Sequence, residues 1–287
     1  MAILLEGRVL SKNIKNDLAE KVSKLKHSGN RAPQLAVILV GADPASLIYV
    51  GRKEKAALEC FFESKTVNLP EDSSFEDIKS AIEALNNDDN VDGILLQLPL
   101  PKSLKEHEKD LLNLIDPEKD IDGLHPINVG KLSLGEDAPI ACTANGIIKL
   151  LKYNNIDIDG KHAVIIGRSN IVGKPLIQLL LRENATVTVC HSHTENLSEF
   201  TKSADILIVA IGKANYITAD MVKENACIVD VGINRLCGRK ITGDVDFTSV
   251  EPKVNAITPV PGGVGPMTIA MLLENTLICY LKRKNIK

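Results

Sequence analysis

An α/β architecture of two domains with mostly parallel sheets and an active-site cleft between them is predicted by the residue pattern. Short apolar runs of strand length alternate with helix-period segments along nearly the whole chain, the rhythm of parallel strands covered by helices. Residues 116–146 interrupt that rhythm with Asp116-Pro117, Asp120-Ile-Asp122-Gly123 and His125-Pro126, a turn-rich boundary. The 287 residues suit two modest domains at roughly 100–200 residues each. A cleft between domains is a favoured place for ligands.

The elements follow in order. Leu10, Ile14, Leu18, Val22 and Leu25 recur at helical spacing behind Ser11, a candidate N-cap. Gln34 to Val40 is a buried strand by length and composition, closed by Gly41. A helix carries Ala45 to Cys60, and Val67 marks a brief strand. Ser73 with Glu76 forms a capping-box pattern ahead of Ile78, Ile82 and Leu85. The run from Gly93 to Pro101 is a strand whose prolines keep it out of the middle of a ladder. Beyond the boundary come strands at 162–166, 186–190, 205–211 and 227–231, with a helix from Val172 to Arg182. A Pro/Gly-rich loop at 255–266 precedes a last amphipathic helix of about residues 267–283.

Composition narrows the function. Lys plus Arg number 34 against 37 Asp plus Glu, a net charge of −3, so no whole-chain field attracts nucleic acid or an anionic membrane. Aromatics are scarce, which disfavours stacking on unpaired bases. The cysteines at 60, 142, 190, 227, 237 and 279 are never closer than ten residues, so neither a metal site nor a disulfide framework is expected. Cys190 and Cys227 lie in strand-like runs as buried thiols. The start lacks a basic leader, and Glu274 and Asn275 break the longest apolar stretch. A reducing cytoplasm is the expected home.

The strand 162–166 runs into Gly167-Arg-Ser-Asn-Ile-Val-Gly173-Lys-Pro175 and then a helix. Glycine at such a turn lets backbone approach a pyrophosphate, and the helix N-terminus supplies N–H groups. The spacing is G-x5-G, which also fits a plain packing turn. The next strand ends in Cys190-His191-Ser192-His193 without the acid that would bind a ribose diol. Arg168 and Ser192 suit a 2′-phosphate, favouring NADP over NAD; a solvated surface arginine is the other account.

In the first half, Tyr49 and Lys53 share one helix face at i, i+4, although Arg52, Lys53 and Lys55 also fit a solvated face. Gln97 is a polar amide at the carboxyl end of a very apolar strand, where ligands sit in open α/β sheets. A satisfied core glutamine is the alternative. Asp120 and Asp122 are each either functional acids or Asx-turn residues.

Six motifs together carry a resemblance. They are Pro44-Ala-Ser46…Tyr49-Val…Lys53, the 93–101 strand, Lys119-Asp-Ile-Asp-Gly123, the 167–175 turn, Val229-Asp-Val-Gly-Ile-Asn234 and Thr258-Pro-Val-Pro-Gly-Gly-Val-Gly-Pro-Met-Thr268. In this order, over essentially the whole chain, they resemble the bifunctional methylenetetrahydrofolate dehydrogenase/methenyltetrahydrofolate cyclohydrolase family. The resemblance implies a catalytic, folate-binding domain of residues 1–120 with 267–287, a connecting segment 121–146, and a Rossmann-like NADP-binding domain at 147–266. It also implies a homodimer and a place in one-carbon metabolism. By position, Lys53 resembles the family's catalytic lysine, Gln97 its hydrogen-bonding partner, Tyr49 the substrate-orienting aromatic and Asp122 the pterin-anchoring carboxylate. Pro261 and Gly262 match the folate-lining loop. Gly167, Arg168, Ser169, Ser192 and Ile233 match cofactor contacts.

The implied reactions are NADP-dependent oxidation of 5,10-methylenetetrahydrofolate to the methenyl cation, then hydrolysis to 10-formyltetrahydrofolate. Only the second needs a base. Residues 141–146 read Ala-Cys-Thr-Ala-Asn-Gly where the family commonly has Pro-Cys-Thr-Pro-x-Gly, so a more mobile loop is expected there. A shikimate-dehydrogenase-like enzyme would share the architecture but would leave the Gln97 strand and the 258–268 loop unexplained.

Overall fold

A computed structural model of the chain describes residues 2–236 and 241–286. Its strands are β1 (Ile3–Leu4), β2 (Gln34–Val40), β3 (Glu63–Leu69), β4 (Gly93–Leu96), β5 (His162–Ile166), β6 (Thr186–Cys190), β7 (Ile206–Val209), β8 (Cys227–Asp230), β9 (Asn234–Arg235), β10 (Ile241–Thr242) and β11 (Ala256–Ile257). The helices are α1 (Gly7–His27), α2 (Pro44–Glu59), α3 (Phe75–Asn86), α4 (Glu108–Leu112), α5 (Pro126–Leu134), α6 (Cys142–Tyr153), α7 (Gly173–Arg182), α8 (Leu197–Ser203), α9 (Phe247–Val250) and α10 (Val264–Arg283).

Two units emerge, one of residues 1–11 with 141–268 and the other of 12–140 with 269–287. The first holds a parallel six-stranded sheet in the order β1-β11-β8-β7-β5-β6. Because β6 and β7 flank β5 on opposite sides, the chain reverses direction across the sheet there, a topological switch point at the strand carboxyl ends. Val164, Ile166, Leu207, Val209, Ile228 and Ile257 form the centre of its core. The second unit holds a parallel sheet, β3-β2-β4, covered by Ile78, Ile82 and Leu85 of α3.

Several expectations change. Residues 1–11 belong with the six-stranded sheet, not with 12–120, because β1 adds to β11 and Leu5 N–H donates to Ile257 O at 2.9 Å. Residues 121–140 pack within the second unit, pinned where Asn275 Nδ2 donates to Ile121 O and Ile140 O, each at 2.8 Å. Ser11 lies inside α1, and its hydroxyl donates to Pro266 O at 2.9 Å. The capping box is Ser74 with Asp77, one residue on from the pair expected, since that phase turns Ile78, Ile82 and Leu85 inward. β3 runs over seven residues; its Glu-Ser-Lys-Thr-Val-Asn-Leu sequence hides an edge strand that pairs with all of β2.

α10 is long and apolar enough to cross a membrane by length and composition alone. It is instead a core helix, 61% buried over its apolar window, with Asn275 satisfied inside the unit. Of the cysteines, Cys190 and Cys227 are buried as expected, and burial pushes the Cys227 thiol up to about 12. Cys237 lies outside the described residues.

Candidate active site

In the second unit, Asp43 starts α2 by accepting the Ser46 N–H at 2.8 Å, with Pro44 in the first turn. Val50, Ala56 and Ala57 are buried, which fixes the helix rotation that places Tyr49 and Lys53 a turn apart, both half-buried. Gln97 follows β4. Its N–H donates to Ile38 O at 2.9 Å, so the backbone is tied to β2 one residue past the paired strand. Its side-chain Nε2 donates to Leu98 O, just before the cis Leu98–Pro99 bond. An amide committed that way must present Oε1 on its other side. Lys53 Nζ donates to that oxygen at 2.9 Å.

Burial separates Asp120 from Asp122. Asp120 is 3% exposed, and its Oδ2 accepts from His125 N at 2.8 Å and Asn128 Nδ2 at 2.9 Å, so it holds the turn. Asp122 stays half-buried, two residues beyond the Ile94–Asp120 bridge in the direction β4 runs towards Gln97. Lys119, in the same motif, is a structural cation. Its Nζ donates to the carbonyls of Leu85, Asn86 and Asp88 at 2.9, 2.7 and 2.8 Å, closing the end of α3. Burial, with Arg283 nearby, lowers its pKa. Nothing local in the sequence pairs Lys119 with residues some 31–34 positions away.

In the first unit, Gly167 leaves β5 with its N–H on Cys190 O at 2.9 Å. A Cβ on Gly167 would stand 2.3 Å from Ala210 O, and one on Gly173 would stand 2.1 Å from Gly167 O. Only glycine lets strand, turn and helix approach so closely, and the turn itself caps α7, Lys174 N donating to Ser169 O at 3.0 Å. Ile166 pairs with Cys190, so Arg168 and Ser192 each sit two residues beyond neighbouring strand ends, both exposed. Ser169 is also exposed on the turn. Ile233 is 48% exposed just after β8. These residues fit a phosphorylated dinucleotide: a glycine cradle, a helix N-terminus, one guanidinium and one hydroxyl at the switch point.

Pro261 and Gly262 lie on the loop between β11 and α10, in the same unit as these cofactor residues; the Val260–Pro261 bond is cis and Gly262 has φ +125°. Residues 142–146, expected as a mobile loop, are the first turns of α6, with Ala141 and Ala144 buried. The first turn of a helix accepts proline or alanine alike, so the change frees no loop. Thr143 and Thr268 lie 3.1 Å apart, hydroxyl to hydroxyl, joining the starts of α6 and α10. That contact, and the buried acids Asp230 and Asp244, had no signature beyond an ordinary residue in a motif.

Comparison with known proteins is consistent across the chain. A family model described as the tetrahydrofolate dehydrogenase/cyclohydrolase catalytic domain matches residues 5–122. One described as the NAD(P)-binding domain of the same group matches residues 141–284. The bifunctional protein FolD of Oceanobacillus iheyensis is 55% identical over 277 residues, 96% of each chain. The crystal structure of the bifunctional methylenetetrahydrofolate dehydrogenase/cyclohydrolase FolD from Campylobacter jejuni is 51% identical, with a TM-score of 0.95 over 99% of this chain and 100% of that one. The Trypanosoma brucei methylenetetrahydrofolate dehydrogenase-cyclohydrolase, solved with NADP and an inhibitor, is 36% identical with a TM-score of 0.93 over 100% and 99%.

Proposed function

This chain belongs to the tetrahydrofolate dehydrogenase/cyclohydrolase family, and from that premise we propose how its residues divide two reactions. It oxidises 5,10-methylenetetrahydrofolate to 5,10-methenyltetrahydrofolate with NADP and hydrolyses the product to 10-formyltetrahydrofolate, in one-carbon metabolism. Bound NADP supplies the hydride acceptor. Gly167, Arg168, Ser169, Ser192 and Ile233 would hold it, Arg168 and Ser192 taking the 2′-phosphate.

Hydride loss spreads positive charge over N5 and N10 and calls for no strong base. Orientation is what the protein contributes, with Tyr49 placing the substrate ring and Asp122 anchoring its aminopyrimidine edge through two charge-assisted hydrogen bonds. Pro261 and Gly262 line the folate. Hydrolysis requires a proton to leave water as it attacks the methenyl carbon. An ordinary lysine, near pKa ~10.4, is protonated at neutral pH and is a poor base. The methenyl cation changes that balance, because like charge and desolvation both favour a neutral amine. Lys53 then accepts the proton while Gln97 Oε1 keeps the amine aimed.

The observation that carries this reading is the 2.9 Å Lys53–Gln97 hydrogen bond, which turns a helix-face lysine towards a strand end. The same reading includes a cytoplasmic homodimer that engages neither nucleic acid nor membrane; the net charge of −3 supports the last point. A coupled absorbance assay tests the activity. Purified protein receives methylenetetrahydrofolate with NADP or NAD, and the methenyl band should rise with NADP and then decay. A band that never forms refutes the dehydrogenase; one that decays no faster than in buffer refutes the cyclohydrolase.

A further inference from the structure

Two buried acids hold the carboxyl ends of β7 and β8, and the chemistry above uses neither. Asp244, with 0% exposure, accepts hydrogen bonds from three consecutive backbone N–H groups: Ile211 at 2.7 Å, Gly212 at 2.9 Å and Lys213 at 2.8 Å. A fourth comes from Asn234 Nδ2 at 2.8 Å. Asp230, at the end of β8, fixes the backbone of Asp244 in turn. Its Oδ1 accepts from Gly232 N and Asp244 N and its Oδ2 from Val245 N, each at 2.9 Å.

The fit leaves no slack. A Cβ on Gly243 would stand 1.8 Å from Asp230 Oδ2, and one on Gly232 would stand 2.3 Å from Asp244 Cγ. A buried carboxylate is costly unless its lone pairs are filled, and four donors fill those of Asp244. So many donors on one side chain make it a structural pivot. The question is what it pivots.

Residues 211–213 continue from Ala210, whose carbonyl a Cβ on Gly167 would strike. They therefore form the wall beside the Gly167 turn, at the switch point between β5 and β7. Asn234 adjoins Ile233 just after β8, so one acid ties the segments that follow β7 and β8 to each other. We propose that Asp244 is a positioning residue for NADP: by gathering the N–H groups of Ile211, Gly212 and Lys213, it sets the course of the wall against which the cofactor lies. This rests on the NADP reading of the Gly167 turn.

Asp244→Asn tests the assignment, since it keeps the shape but turns a donor NH2 towards backbone donors. Calorimetry with NADP should show at least tenfold weaker binding, and KM for NADP should rise in proportion. KM for methylenetetrahydrofolate should stay within twofold. Cyclohydrolase turnover, which consumes no nicotinamide, reports whether the chain is folded. If the variant does not fold, Asn234→Ala removes one of the four bonds and should weaken NADP binding two- to fivefold. Unchanged NADP affinity in a folded Asp244→Asn, or in Asn234→Ala where that variant replaces it, overturns the proposal. Wild-type protein that fails to bind NADP would instead sink the reading on which it rests.

Discussion

Lys53 meets Gln97 through an acceptor that cannot be turned: Gln97 donates from Nε2 to Leu98 O and accepts the lysine on Oε1 at 2.9 Å. Because the amide is anchored at its backbone by Ile38 and at its side chain by Leu98, the lysine amine is aimed by a rigid group and not by its own flexible stem. Lys53→Met should therefore lower cyclohydrolase turnover by about 10²–10⁴, the usual worth of a general base, and dehydrogenase turnover much less. Gln97→Ala should act in the same direction with a smaller loss. Both rates are read from the methenyl band, and equal retention of both in Lys53→Met would refute the role.

Asp120 and Asp122 stand two residues apart and should respond oppositely to substitution. Asp122→Asn removes the charge from the proposed pterin contacts and should cost roughly 1.5–3 kcal/mol of folate affinity, about ten- to a hundredfold. NADP affinity should not change. Asp120→Asn should instead reduce stability, because Asp120 Oδ2 takes both His125 N and Asn128 Nδ2. Titration of folate into each variant separates them; intact folate affinity in Asp122→Asn removes the assignment.

Arg168 and Ser192 each lie two residues past paired strand ends, and residues 190–193 carry no acid. Arg168→Ala should weaken NADP at least tenfold, about 1.4 kcal/mol, and leave NAD where it was. The ratio of the two KM values is the measurement. A parallel loss for both nucleotides would mean that Arg168 does not read the 2′-phosphate.

The legible part of this protein was periodic or local. The 34–40, 162–166 and 186–190 strands were read to the residue because apolar runs bounded by turns leave little choice of ends. Lys53, Gln97 and Asp122 were nominated by motif, and Lys53 and Gln97 meet in space. β3 shows in the sequence only as a brief strand at Val67, because an edge strand with one wet face needs no apolar run. The membership of residues 1–11 was hidden because a two-residue strand has no period, and only its partner, β11, assigns it. Asp244 and Lys119 were illegible for a related reason: their donors and acceptors come from segments far apart in sequence.

Asp92 shows what such long-range contacts contribute to stability. It has 0% exposure and accepts from Arg31 at 2.6 and 2.8 Å, from Gln34 N at 2.9 Å and from Arg283 at 2.9 Å. Arg31 also lies 5.0 Å over the Tyr280 ring, so α10 and the start of β2 are tied through one carboxylate. Asp92→Ala would take the shared buried carboxylate from two arginines, leaving them backbone carbonyls and the exposed Asp89, and should cost about 3–5 kcal/mol, the usual result of breaking a buried pair from one side. Urea unfolding measures it, and a loss below about 1 kcal/mol would show that the cluster relaxes into water.

Asp230 supplies the pH dependence. Burial raises its carboxyl to about 6, against the lowering effect of the N–H groups of Asp244, Val245 and Gly232 and with a further push from the Asp244 charge. The folded value lies above the ordinary 3.8, so between those two pH values the folded chain holds a proton that the unfolded chain has released. Stability from this group therefore grows as pH falls through 6 and is lost as pH rises through it, by about 1 kcal/mol between pH 7 and pH 5. Asp230→Asn cannot titrate. The difference in unfolding free energy, wild type minus variant, should thus increase on going from pH 7 to pH 5, whatever the substitution costs at either pH. A difference that is flat or falls over that interval would mean that the three N–H donors outweigh burial and keep Asp230 ionised.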